Sequence, residues 1–263
     1  MKKYELTEET IKVCGRTLHR IKALRDIGTN VQKNDLGGFV GSESNLSQKG
    51  DCWVYNSAKV YNSAKVFGNA KVYNSAKVFD NAEVSDDAKV CGDAKVCGDA
   101  MVCGNAKVFG NAKVFGNAIV FGNAKVFGNA IVCDDAEVSD SAEVFDSAMV
   151  FDNAIVFDSA VVFDNAIVCD DAEVSGDAKV CGDAQLSKQT DVLTISPIGS
   201  RNDTTTFYRA NGGKIFVKCG CKNTDIDAWL DMVQETHGDN KHAIAYRLAA
   251  QIARLQILGE EDE

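Results

Sequence analysis

From Val54 to Val180 a valine stands at every sixth position, 22 in succession, and Leu186 carries the series one step further. An alanine precedes each valine by two positions from Ala58 to Ala178, and Ala184 precedes Leu186 in the same way. The unit reads Ala-x-Val-(Phe/Tyr/Cys/Ser)-(Gly/Asp/Asn)-(Asn/Asp/Ser). Helices repeat their apolar face about every 3.6 residues and coiled coils about every 3.5, so neither produces this period. A short strand does, because residues two apart face the same side. The Gly, Asn or Asp that follows tolerates the left-handed backbone of a tight corner. The pattern therefore predicts short strands that alternate with corners, with Ala and Val turned inward.

One hexad cannot bury its Ala and Val alone, so successive hexads must wind into a solenoid. The stretch Val66-Phe67-Gly68-Asn69-Ala70-Lys71 resembles the hexapeptide repeat of left-handed parallel β-helix proteins, with the aliphatic residue first and the small residue fifth. The resemblance spans 22 hexads from Tyr55 to Leu186, about half of the chain. It implies three hexads per triangular coil and just over seven coils; at ~4.8 Å per coil the prism is roughly 35 Å long. An internal check agrees. Ser replaces the usual residue after Val at Ser85, Ser139 and Ser175, whose spacings of 54 and 36 are both multiples of 18. Glu83, Glu137 and Glu173 share a column by the same arithmetic.

The ends differ from the middle. Asp35–Val40 and Gly41–Leu46 already scan as hexads, with Gly38 and Ser44 in the small position, and two extra residues then precede Val54. Thr10–Val13 and Thr17–Leu24 flank Cys14-Gly15 and read as a hairpin that covers the exposed strand edge. The segments Arg20–Leu24, Leu36–Val40, Asn45–Ser47 and Cys52–Tyr55 resemble the N-terminal cap of bacterial and prophage-encoded hexapeptide-repeat proteins. Past Leu186 the period stops. Asp191–Ile195, Thr204–Arg209 and Lys214–Lys218 read as strands. Thr224 with Asp227 reads as a capping-box start, with Ile226, Trp229, Leu230 and Val233 on one helical face. Gly238 ends that helix, and a second runs from about Asn240 to Leu258. The expected architecture is mainly β: an N-terminal β cap over 1–34, a left-handed parallel β-helix solenoid over 35–186, and a small C-terminal α+β module over 187–263.

The hexapeptide-repeat resemblance raises acyl transfer first, since such enzymes use a His as general base beside a subunit seam. This chain has only His19, His237 and His242, and none lies on the coils. The repeats also carry no excursion loop for an acyl carrier arm. The three coil histidines of the metal-dependent carbonic anhydrases of this fold are missing too. No Thr lies between Asp51 and Ser187, which excludes the Thr ladders of ice-binding relatives. General-base work needs a group that titrates near neutrality and a pocket to hold it. The expectation is a protein without catalytic residues or cofactor, with an acyltransferase-like enzyme as the third reading.

Charge alters the picture further. The chain carries 28 Lys+Arg against 38 Asp+Glu, net −10, which opposes direct nucleic-acid binding. No apolar run approaches the ~20 residues of a membrane span, and the start Met1-Lys2-Lys3 has no signal-peptide core. From Asp134 to Asp170 every first corner residue is Asp, and Asp134, Asp152 and Asp170 form one column. At ~4.8 Å in water such charges repel by about 0.9 kcal/mol per pair. Such a column reads as a solvated corner that blocks lateral aggregation, as a cation-binding row, or as an acidic rod with DNA-like charge. The outward position between Ala and Val is Lys in the first half and turns apolar at Met101, Ile119, Ile131, Met149, Ile155, Val161 and Ile167. Ile131, Met149 and Ile167 share a column, which marks a contact surface. The cysteines at the corners read as fillers in a reducing compartment.

In the C-terminal module, the Ser200, Arg201, Asn202, Thr204, Thr205, Thr206 and Tyr208 stretch is dense in donors and reads as a site for an anion such as a nucleotide. Cys219, Cys221, His237 and His242 are candidate zinc ligands, though their spacing is off the usual finger pattern. The expected protein is a cytoplasmic, phage- or prophage-type, non-enzymatic solenoid scaffold that binds or assembles through its outer faces and C-terminal module. The alternative is an inhibitor that sequesters a host factor, through the acidic rod or through a small anionic ligand. A homo-oligomer is expected, and the family resemblance implies a trimer.

Overall fold

The computed structural model describes residues 2–259. Each hexad contributes one two-residue strand made of the outward residue and its valine, as in Lys59–Val60 and Ile131–Val132. Strands eighteen residues apart pair in parallel and in register: Lys89 lies beside Lys107, and Val90 beside Val108. Three faces result. The first has eleven strands because the N-terminal hairpin joins it; the second has eight and the third seven. The three-sided parallel β-solenoid is thus the architecture the hexads predict. Glu83, Glu137 and Glu173 all lie on the third face, as their spacing requires.

The inward residues explain the winding. Every valine of the series and every alanine from Ala58 to Ala184 is at most 1% exposed. Burying a valine contributes about 1.5 kcal/mol or more, but only when a coil above and a coil below complete its surroundings. The two-residue insertion is visible as well. Phe39 pairs with Lys59 and Leu46 with Val66, offsets of 20, whereas Trp53 pairs with Lys71 at 18.

The hairpin strands run Tyr4–Val13 and Arg16–Ala23, and the second pairs antiparallel with Leu36–Val40. The first strand starts well before Thr10, because its middle is bulged between Leu6 and Thr10 and its exposed Glu8 and Glu9 hide the alternation. Lys3, read from sequence as part of a charged start, is fully buried. Its Nζ donates to the Cys52 carbonyl at 2.9 Å and lies 3.1 Å from the Cys52 Sγ, with the carbonyls of Lys49 and Gly50 at 3.4 Å. Burial pulls the Lys3 ammonium below its ordinary pKa. The carbonyls replace lost water, so an ammonium closes this end of the core.

The opposite end is closed by a four-stranded antiparallel sheet: Val192–Ile198, Asp203–Ala210, Lys214–Cys219 and Lys222–Asp225. Its alternation has two faces. Thr206 and Tyr208 turn to the last coil, while Thr205, Phe207, Val217 and Cys219 turn to helices α1 (Ile226–His237) and α2 (Lys241–Leu258). The Lys179 N–H donates to Thr206 Oγ1 at 3.0 Å, and the Tyr208 hydroxyl lies 3.1 Å from the Cys181 carbonyl. Buried Asp191 accepts from the Ser187 and Lys188 N–H groups and pairs with Arg209. Helix α1 is capped by Asp225, which accepts from the Asp227 and Ala228 N–H groups, rather than by the Thr224–Asp227 capping box. Thr224 is instead in the fourth strand, opposite Val217.

One corner position isolates the backbone demand. Gly116 has φ +72°, and a Cβ there would lie 2.6 Å from the Asp134 nitrogen. In the same column Asn62, Asp80 and Asp134 hold φ of 61°, 61° and 59°. Asn and Asp tolerate this region through local hydrogen bonds, and a β-branched residue does not. Both replacements bring a Cβ against the Asp134 backbone and Val adds left-handed strain, so Gly116→Val is expected to lower unfolding free energy by about 1 to 2 kcal/mol more than Gly116→Asn, read by denaturant titration.

Candidate functional site

Stacking converts the outward sequence into chemical columns. On the first face Lys59, Lys77, Lys95 and Lys113 are followed by Ile131, Met149 and Ile167. This apolar strip is half-buried. Ile119 and Ile155 lie on the third face with Glu137 between them, and Val161 lies on the second between Glu143 and Lys179. The contact surface read from sequence is therefore one continuous strip of three residues, a pair made by Met101 and Ile119 on the third face, and single positions at Ile155 and Val161. Lys65 with Glu83 (2.9 Å) and Lys125 with Glu143 (2.6 Å) bridge neighbouring coils.

Asp134, Asp152 and Asp170 hold left-handed corner backbone at φ 59°, 56° and 51°. Elsewhere the corner carboxylates bond the next coil: Asp86 accepts from the Gly104 N–H, Asp158 from Gly176 and Asp164 from Gly182. The second corner position holds side-chain amide ladders that sequence reasoning missed, including Asn105 to Asn123 (3.3 Å) and Asn117 to Asp135 (2.8 Å). The spacing of 18 between these pairs was the available signal. The aromatic corner forms a stack, Phe109–Phe127–Phe145–Phe163, with centroids 4.7 to 5.1 Å apart and rings near parallel. Lys218 of the C-terminal module sits 5.6 Å over the last ring, a cation–π contact that ties the module to the rod.

The sizeable cleft with mixed chemistry lies in the C-terminal module. It encloses about 520 Å³ between the turn at Ser200-Arg201, the end of the third strand and α1. Arg201, Lys222 and His237 line it beside Trp229 and Tyr246, with Glu235 also on the wall and Cys219 at its buried side. Local backbone places Arg201. Gly220, at φ +58°, leaves the space its guanidinium occupies, so any side chain there would collide with it. The Tyr246 hydroxyl is pushed up to about 12, first by burial and then by the Cys219 thiol beside it, with Arg201 acting in the opposite direction. Thr205 donates to the Cys219 Sγ at 3.3 Å. The chemistry on offer is two cations, Arg201 and Lys222, with the Glu235 carboxylate opposing them, beside the edges of the buried Trp229 and Tyr246 rings, which suits a small anion.

The residues read from sequence as one anion loop do not converge. Ser200 and Arg201 line the cleft, and Asn202 lies in the same turn at φ 50°. Thr204–Tyr208 are strand residues, so neighbours point to opposite sides. Thr204 bonds the Ser196 hydroxyl, Thr205 packs under the helices, and Thr206 and Tyr208 are consumed in the joint to the last coil. Lys222 and Trp229, absent from that reading, complete the cleft.

The zinc reading also needs correction. Cys219 is buried against Thr205 and Tyr246, Cys221 is exposed, and His237 and His242 have ring centroids 5.9 Å apart. Among the described residues no group of three or more His, Cys, Asp or Glu is placed to hold a metal. Cys219 ends the third strand facing the core, and Cys221 lies in the turn that follows, so the two thiols part. Among the described residues no helix is long and apolar enough to cross a membrane. No protein-family model matches the sequence, and no curated protein matches it.

All ten cysteines are free. Burial, reinforced by the adjacent Asp134 carboxylate, pushes the Cys133 thiol up to about 12, and the same causes push Cys169 up to about 11 with Asp170. Alkylation at pH 8 is expected to label exposed Cys14 and Cys221 and to leave Cys133 and Cys169 intact, as read by peptide mass mapping. Both thiols stay protonated in the fold when the unfolded chain has begun to ionise near 9.0. Their contribution is present below pH 9 and is lost as pH rises toward 12, so denaturation midpoints should fall across that window.

Proposed function

We propose that the protein is a non-enzymatic β-solenoid scaffold that works by binding and assembly, of the phage or prophage type it resembles. The observation that carries this reading is the closed rod interior. Its inward alanines and valines are sealed, and the chemistry-bearing side chains are outside or in the C-terminal module. A sealed Ala/Val column offers no place to position a substrate against a titrating group. What the rod offers is stiffness, a lysine half, an acidic half and an apolar strip, which are properties of a contact surface.

A second reading is favoured by the cleft: the module sequesters a small anionic ligand such as a nucleotide, whose phosphates would meet Arg201 and Lys222. Isothermal titration of the full chain with a nucleoside diphosphate tests it. Binding is expected, and Arg201→Ala should weaken it at least tenfold, whereas Thr206→Ser should not. Absence of binding, or binding indifferent to Arg201, removes this second reading alone. The scaffold reading is tested separately by incubating the full chain with acetyl-CoA and amine or hydroxyl acceptors. No release of free thiol is expected, and sustained turnover would overturn it.

A further inference from the structure

Helix α2 carries two apolar faces where docking in the module uses one. Ala243, Tyr246, Ala249, Ala250, Ala253 and Ile257 are buried against the sheet and α1. On the other side Ile244, Leu248, Ile252 and Leu255 are 50%, 54%, 52% and 64% exposed. At 3.6 residues per turn these four fall within an arc of about 80° and extend about 16 Å along the helix. The remaining exposed large hydrophobics among the described residues, Leu36, Phe67 and Met101, are scattered along the rod, so this stripe is the concentrated one.

We propose that this stripe is a self-association surface, packing against α2 of a second copy in antiparallel sense about a twofold axis between Leu248 and Ile252. Each Leu248 then faces Ile252 of the other copy, and the contact is isologous. Charge sets the partner and the direction. Helix α2 contains Lys241, Arg247 and Arg254 and no Asp or Glu, and the sequence immediately after it reads Glu260-Glu261-Asp262-Glu263. A parallel pair would place Lys241 against Lys241. An antiparallel pair brings the Lys241 end of each helix to the Leu258 end of its mate, the end at which the sequence turns acidic. Arg254 is held by Asp227, and Arg247 by Asp239 and the Gly238 carbonyl, which keeps both guanidinium groups on the α1 side. An anionic lipid surface is the less favoured occupant, because the chain is net −10 and repels anionic headgroups. The geometry joins two rods at their C-terminal ends, which goes beyond the scaffold reading and does not depend on the anion cleft.

Sedimentation equilibrium of the full chain tests this. A species of twice the 28.2 kDa chain mass is expected. Leu248→Asp/Ile252→Asp should raise its dissociation constant at least a hundredfold with an unchanged circular dichroism spectrum, and the milder Leu248→Gln/Ile252→Gln should raise it at least tenfold. Added salt should weaken the antiparallel pair, whose flanks attract, and would strengthen a parallel one. A monomer at all concentrations, a trimer, or a dimer indifferent to these substitutions would overturn the proposal. So would a monomer retained on vesicles containing anionic phospholipid.

Discussion

An N–H that reaches the carbonyl seventeen residues further on is the interaction from which the molecule follows. Lys107 donates to Ala124 at 2.9 Å, Phe109 to Val126 at 3.0 Å and the corner residue Asn111 to Gly128 at 2.7 Å. Strand and corner backbones alike are therefore satisfied by the next coil. A coil by itself keeps only its corner bonds, such as Ala142 to the Ser139 carbonyl at 3.0 Å, and has a half-open core, so it has little stability without its neighbours. The ends consequently carry special chemistry. Lys3 fills a ring of carbonyls at one end, and the strand with Thr206 and Tyr208 covers the other.

The same translation forces like side chains on top of one another, and the sequence handles each kind differently. Rings stack at the separation that suits them. Amides form ladders because each is both donor and acceptor. Carboxylates cannot do this, so several turn inward along the backbone to the N–H of the glycine in the next coil. Where a lysine stands one coil before a glutamate in the same column, the two pair. The aspartates fall on the corners and stacked lysines stay on the faces, where Ile131, Met149 and Ile167 form an apolar interval on one of them.

How much could be read from the sequence depends on how often a feature is repeated. Ala and Val recur in every hexad, so winding, register and the offset of two at the N-terminal end were all legible. Features built once were not. Burial of Lys3 depends on a carbonyl ring made by residues 49–52, which no local pattern announces. The run Thr204–Tyr208 reads as one polar loop by composition, but as strand residues its members serve three different neighbours. Helix α2 inverts the usual rule. Its buried face is mostly Ala, while Ile244, Leu248, Ile252 and Leu255 point outward, so the apolar pattern alone does not say which face packs.

Because the coils are interchangeable, the length of this molecule is a quantity that can be set independently of its ends. Removing one whole coil draws the C-terminal module about 4.8 Å closer to the N-terminal hairpin and preserves its bearing. Removing a single hexad also leaves the column intact but swings the module by about a third of a revolution. The solenoid is in effect a ruler with an indexed dial, and it spaces and orients whatever its two termini engage.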